Sequence, residues 1–148
     1  MRRLQVHLNT KEVMTVHRRI LKKKKVVYLL VARNPVKYRG GRSKIVYIGT
    51  TRKGVGRISG SASHHAEEIM ATRGLKVIDV FVVSCSPRPG LKTWEWLEDA
   101  LLAQFRSEYE QLPKCNAQGK KLKWNKELEK MFKRKMIDQI LTSFDPSK

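Results

Sequence analysis

The chain of 148 residues carries 32 Lys and Arg against 13 Asp and Glu, a formal net charge of +19. Solubility needs a far smaller excess, and a field of this sign concentrates polyanions, nucleic acid before an anionic membrane surface, whereas a small acidic metabolite would not require it. With 41% hydrophobic residues the chain can bury a core, which excludes disorder of the whole, and its length suits a single domain.

In chain order, Asn9 with Glu12 forms a capping box ahead of Val13, Val16, Ile20 and Leu21, which predicts a helix over residues 10–23 running into the lysines at 22–25. Val26 to Val31 (VVYLLV) reads as a central strand buried on both faces. Residues 33–44 hold Asn-Pro, Gly-Gly and a run of cations, and read as a basic loop. Ile45 to Ile48, closed by Gly49, suits an antiparallel neighbour of the first strand. Gly54, Gly56 and Gly60 make a poor helix interior, so the next helix is expected over residues 61–73. Val77 to Val83 is a third strand. After a loop with Pro87, Pro89 and Gly90, Thr93 can cap a helix running to about Tyr109, followed by a turn between Pro113 and Gly119. From Trp124 to Phe144 the apolar face rotates midway, which predicts one bent helix or two short ones packing on the core. The resulting division is an N-terminal helix with Lys-rich connector (1–25), a core (26–118) and a C-terminal helical extension (119–148).

On the helix from Trp94, at about 100° per residue, Trp94, Leu97, Leu101, Phe105 and Tyr109 form one stripe, and Glu98 falls on it at about 40°. An ionised carboxylate on a core-facing stripe needs a cation, a metal or several donors. Glu95 and Asp99 lie off the stripe and read as surface acids. Trp96 falls opposite it and is the tryptophan best placed to contact a ligand.

Five features occur in a fixed order: Tyr28 in the first strand, Tyr47-Ile48-Gly49 in the second, Arg57 beyond a glycine-rich turn, Glu98 on a later helix, and Pro113-Lys114-Cys115-Asn116. Residues 26–118 thereby resemble the GIY-YIG nuclease superfamily. The first triplet is VVY, without the family's glycine. The tyrosines stand further apart than in the commonest pattern, so residues 33–44 read as an insertion. Thr50 replaces a lysine often found after YIG, with Arg52 and Lys53 close enough to substitute.

The resemblance implies an α+β fold, a small three-stranded antiparallel sheet flanked by helices, and a DNA endonuclease working with a single divalent cation, Mg²⁺ or Mn²⁺. Tyr28 and Tyr47 would be paired phenols at the scissile phosphate, Arg57 the cation on it, Glu98 the metal ligand and Asn116 a late polar residue. His64 or His65 would fill the place of a histidine that members often carry near the arginine. Arg33, Lys37, Arg39, Arg42 and Lys44, with Arg52 and Lys53, are expected to contact the DNA backbone, which positions a duplex without reading its sequence. The basic surface alone also fits a non-catalytic nucleic-acid-binding module or an RNA-directed nuclease.

His7 and His17 have no partner pattern. Cys85 and Cys115, without a CxxC pair, read as plain thiols and argue against a zinc ribbon or a disulfide scaffold. The first residues lack a signal peptide's apolar segment, and no run approaches the roughly 20 apolar residues of a membrane span. A cytoplasmic protein, monomeric or homodimeric, without membrane association is expected.

Overall fold

The computed structural model describes residues 22–73, 75–119 and 122–145, with Gln5, His7 and Lys11. The helix expected over residues 10–23 falls almost entirely outside the described residues. The described elements are β1 (Val26–Tyr38), β2 (Gly41–Thr51), α1 (Val55–Arg73), β3 (Ile78–Val83), α2 (Thr93–Tyr109), α3 (Lys126–Met131) and α4 (Arg134–Ser143). The strands form one antiparallel sheet in the order β2-β1-β3, so the chain has the expected α+β architecture. None of the described helices is long and apolar enough to cross a membrane.

β1 is central because every residue from Val26 to Ala32 is buried, as a strand covered on both faces requires. Contrary to the loop expected over residues 33–44, β1 and β2 continue to a tight turn at Arg39 and Gly40. The charges obscure a period-two pattern in which Val36 and Tyr38 are buried around the exposed Lys37. The register shifts between Val31 and Val36, so Pro35, which cannot donate to the ladder, sits in an irregularity of the strand. The tip docks on the end of α2: Gly40 donates its N–H to the Tyr109 carbonyl at 3.0 Å, and a Cβ on Gly40 would fall 2.6 Å from the Glu108 carbonyl oxygen.

α1 begins at Val55, six residues before the expected start. Gly56 and Gly60 lie within it, each costing about 1 kcal/mol against Ala. Burial of Ile58 and Ile69 outweighs that penalty.

α2 ends where expected, but Thr93 is its first residue rather than its cap, Lys92 standing at the N-cap without a side-chain cap, and Leu97, Leu101, Phe105 and Tyr109 are buried as the stripe predicts. Ala100, Ala103 and Gln104 are buried as well, because α3 and α4 pack on this helix. Trp96, expected to face outward, is half-buried against the core. Gln104 is satisfied there, donating to Asp138 at 3.0 Å and accepting from Arg134 at 2.7 Å. The last segment is two short helices, and Asn125 caps the first by accepting the N–H groups of Glu127 and Leu128. Past α4, the buried Asp145 accepts from the Ser43 hydroxyl, the Lys44 N–H and the Tyr109 hydroxyl, joining the C-terminal segment to β2 and α2. β3 is an edge strand with Val80, Phe81 and Val82 exposed, the Phe81 ring resting on Phe144.

Candidate functional site

Cross-strand register brings the two candidate tyrosines together. Tyr28 stands opposite Gly49 and Leu30 opposite Tyr47, so Tyr28 and Tyr47 are diagonal neighbours on one face of the sheet. With no side chain at Gly49, the Tyr47 ring leans across it to within 5.7 Å of the Tyr28 ring, centroid to centroid. The two differ in exposure: Tyr28 is buried, whereas Tyr47 is half-buried and lines a cleft.

α1 lies over this face. Arg57, Ser61 and His65 follow at i, i+4 and i+8, which places them on one stripe beside the buried stripe of Ile58 and Ile69. Tyr28 donates its hydroxyl to Ser61 at 2.7 Å, and the His65 ring stacks on Tyr47 with centroids 4.1 Å apart. His64 is exposed and touches only the edge of the pair, its ring 5.3 Å from His65, so the structure places His65 rather than His64 at the tyrosines. Ser61 was not singled out in the sequence. Its signal, the spacing of four from both Arg57 and His65, appears only when the helix is extended back to Val55.

From the opposite side α2 contributes Glu98. A cleft of about 300 Å³ is lined by Tyr47, His65, Glu98, Cys115 and Asn116 with Leu102, Leu112 and Ala117. A smaller depression of about 180 Å³ is lined by Thr50, Thr51, Arg52, Lys53, Arg57, Trp94 and Glu95. The same three elements wall both: Tyr47 precedes Thr50 on β2, Arg57 stands two turns before His65 on α1, and Trp94 one turn before Glu98 on α2. Arg57 therefore lies beside the cleft, among other cations, rather than in its wall. Lys25 adds a further positive charge, its Nζ 4.8 Å from the centre of the Trp94 ring.

Burial drives the Tyr47 phenol well above its ordinary value, and the neighbouring Tyr28 and the Glu98 carboxylate push it the same way, against a smaller opposing contribution from Ser61. Tyr47 thus keeps its proton across the neutral range, its hydroxyl in hydrogen-bonding reach of Tyr28 and Ser61 beside the cleft that the residue lines.

Asn116 reaches the cleft wall, but both ends of its amide are engaged by β2. Its Oδ1 accepts the Ile48 N–H at 3.0 Å, its Nδ2 donates to the Ile48 carbonyl at 2.7 Å, and Cys115 N–H donates to the Val46 carbonyl at 2.9 Å. The segment after α2 thereby covers the outer edge of β2, with the Asn116 side chain imitating a strand partner.

The remaining expected contacts divide in space. Arg52 and Lys53 are exposed next to Arg57. Arg33, Lys37, Arg39 and Arg42 are exposed and Lys44 half-buried along the hairpin, whose tip points away from the tyrosines. At about 3.3 Å per strand residue, Lys37 lies roughly 30 Å from Tyr28 along β1. Arg42 also donates to the Pro35 carbonyl across the hairpin at 3.3 Å.

Compared with protein-family models, with curated proteins and with solved structures, the chain matches none of them.

Proposed function

We propose that this protein is a metal-dependent endonuclease that hydrolyses phosphodiester bonds in double-stranded DNA, with a site of GIY-YIG type. The observation that carries this reading is the meeting of Tyr47, His65 and Glu98, from three elements far apart in sequence, in one cleft bordered by Arg52, Lys53 and Arg57. A carboxylate and a phenol beside a cluster of cations, in a chain of charge +19, suit an anionic substrate that needs a cation at its reacting phosphate.

The donor chemistry of the cleft fits Mg²⁺ or Mn²⁺ on Glu98. Mg²⁺ takes oxygen ligands and retains several waters, so a single protein carboxylate in a cleft of about 300 Å³ suffices. The Asn116 amide is committed to Ile48, and the imidazole of His65 and thiol of Cys115 are poor ligands for so hard an ion. When bound, the ion supplies Lewis acidity and stabilises the departing oxygen.

The protein's own groups do the rest. Arg57 presents a planar donor fork with a delocalised charge to the phosphate, and Arg52 and Lys53 hold the flanking backbone. Tyr47, kept protonated, donates to a phosphate oxygen rather than accepting a proton. Tyr28 and His65 fix the Tyr47 ring from two sides, and Ser61 holds Tyr28. Asn116 is a positioning residue that sets the strand carrying Tyr47.

Incubation of supercoiled plasmid with the protein and Mg²⁺ tests the reading. Nicked or linear products that disappear with Glu98→Ala are expected. Equal activity in wild type and variant would defeat the proposal, and duplex binding without cleavage in either Mg²⁺ or Mn²⁺ would favour a non-catalytic binding module.

A further inference from the structure

A second set of potential ligands stands at the rim of the cleft. An imidazole nitrogen of His65, a carboxylate oxygen of Glu68 and Sγ of Cys115 all lie within 4.8 Å of one another. His65 and Glu68 are three apart on α1 and so share a face. Cys115 comes from the segment after α2, where its N–H bond to the Val46 carbonyl fixes the backbone. The meeting of these residues is a product of the fold and has no counterpart in a sequence motif.

The His65 ring is held by its stack on Tyr47. Its Nδ1 is buried and has no hydrogen-bond partner among the described residues, and the Glu68 carboxylate, at 3.6 Å, is beyond hydrogen-bond reach. A ring nitrogen removed from water without a partner is costly, and an ion placed between it, the carboxylate and the thiol would remove that cost.

We propose that His65, Glu68 and Cys115 form a binding site for a divalent transition-metal ion of the zinc class. One nitrogen, one oxygen and one sulfur are the donors such ions take in four-coordinate sites, with three protein ligands leaving the fourth position to water. Bonds of about 2.0–2.3 Å put neighbouring donors roughly 3.5 Å apart, close to the 3.6 Å that already separates His65 Nδ1 from the Glu68 carboxylate. Cys115 binds as thiolate, its proton passing to solvent, so affinity rises with pH. The imidazole and thiolate select against Mg²⁺, which separates this site from the carboxylate of Glu98. The site stands on these three side chains and does not depend on the nuclease reading.

The test is titration of the reduced, metal-free full chain with Co²⁺ as a spectroscopic substitute for Zn²⁺. One equivalent is expected to produce a sulfur-to-cobalt charge-transfer band in the near ultraviolet and the intense visible bands of four-coordinate cobalt. Zn²⁺ should abolish both, and a large excess of Mg²⁺ neither. Cys115→Ser should lose the charge-transfer band and weaken binding by at least about 100-fold, the upper end of what loss of even an outer-shell partner costs. Cys85→Ser should change nothing. Glu68→Gln, at an exposed position where folding is not at risk, should weaken binding with the charge-transfer band retained at saturation. Absence of the band from wild type at stoichiometric cobalt, or its survival in Cys115→Ser, would overturn the proposal.

Discussion

The Tyr47 ring lies across Gly49, and a Cβ built on that glycine would fall 2.6 Å from Cε1 and 2.7 Å from the hydroxyl of Tyr47. Gly49 does not have a positive φ, so its conformation is open to any residue and the requirement is for space alone. Tyr28 pairs directly with Gly49, and the missing side chain is what lets two tyrosines on adjacent strands touch and lets His65 close over the second.

Gly49→Ala is accordingly expected to displace the Tyr47 ring, the movable partner, at a stability cost of about 1 kcal/mol, while cleavage falls much further. Gly40→Ala meets backbone of α2 that cannot yield and should cost the upper part of the roughly 1–3 kcal/mol typical of overpacking, or more. Denaturant unfolding of the two variants checks the order. A larger loss for Gly49→Ala would contradict the packing described.

Tyr28 and Tyr47 should separate under mutation to Phe. Tyr28→Phe removes a partly buried hydrogen bond to Ser61 and should lower stability by about 0.5–1.5 kcal/mol. Tyr47→Phe removes the hydroxyl proposed to donate to the phosphate and should slow cleavage about 100-fold, the lower range for losing one preorganised donor. Paired melting and cleavage measurements decide whether the roles are divided in this way.

The alkaline limb of stability tests a different tyrosine. Burial and the adjacent Asp145 push the Tyr109 phenol up to about 12 in the folded protein, against 10.0 ordinarily. The protonated form is favoured in the native state, so this contribution is complete below pH 10 and is lost as pH rises toward about 12. Wild type should therefore lose more stability than Tyr109→Phe between those values. At neutral pH the same variant should be roughly 1.5–3 kcal/mol less stable, because Asp145 loses a donor. Unfolding curves at several pH values supply both comparisons.

Duplex affinity should fall linearly on a logarithmic salt axis, and each phosphate-contacting cation removed should reduce the slope by about 0.9. Arg52→Ala and Lys53→Ala are expected to do so and also to slow cleavage. Lys37→Ala and Arg42→Ala on the hairpin, roughly 30 Å from Tyr28, should weaken binding and shorten the footprint on one side while leaving the single-turnover rate intact. Hairpin variants that change the rate and not the affinity would refute this division.

The strands at 26–31 and 45–48 and the helix at 93–109 were legible because uninterrupted β-branched runs and a clean 3.6-residue stripe report burial directly. The hairpin was not, because the charges, Asn34-Pro35 and Gly40-Gly41 that mark a loop locally are here an irregular strand and a tight turn, stabilised by contacts with α2 that no local window contains. The early start of α1 was hidden by glycines whose low propensity is overridden by tertiary burial. The same glycines conceal the stripe of Arg57, Ser61 and His65. Asn116 was visible as a polar residue after a proline, but its use as a strand substitute depends on where β2 lies. The half-burial of Trp96 against the core likewise depends on tertiary contacts that the sequence of α2 alone does not contain.

DNA cleavage at the proposed site around Glu98 is read most directly from the single-turnover rate on an end-labelled duplex with protein in saturating excess and Mg²⁺ present, which separates chemistry from binding. Cleavage by wild type and a rate at least about 100-fold lower for Glu98→Gln are expected, with duplex affinity measured without metal unchanged. Equal rates for the two proteins under saturation would contradict the proposal.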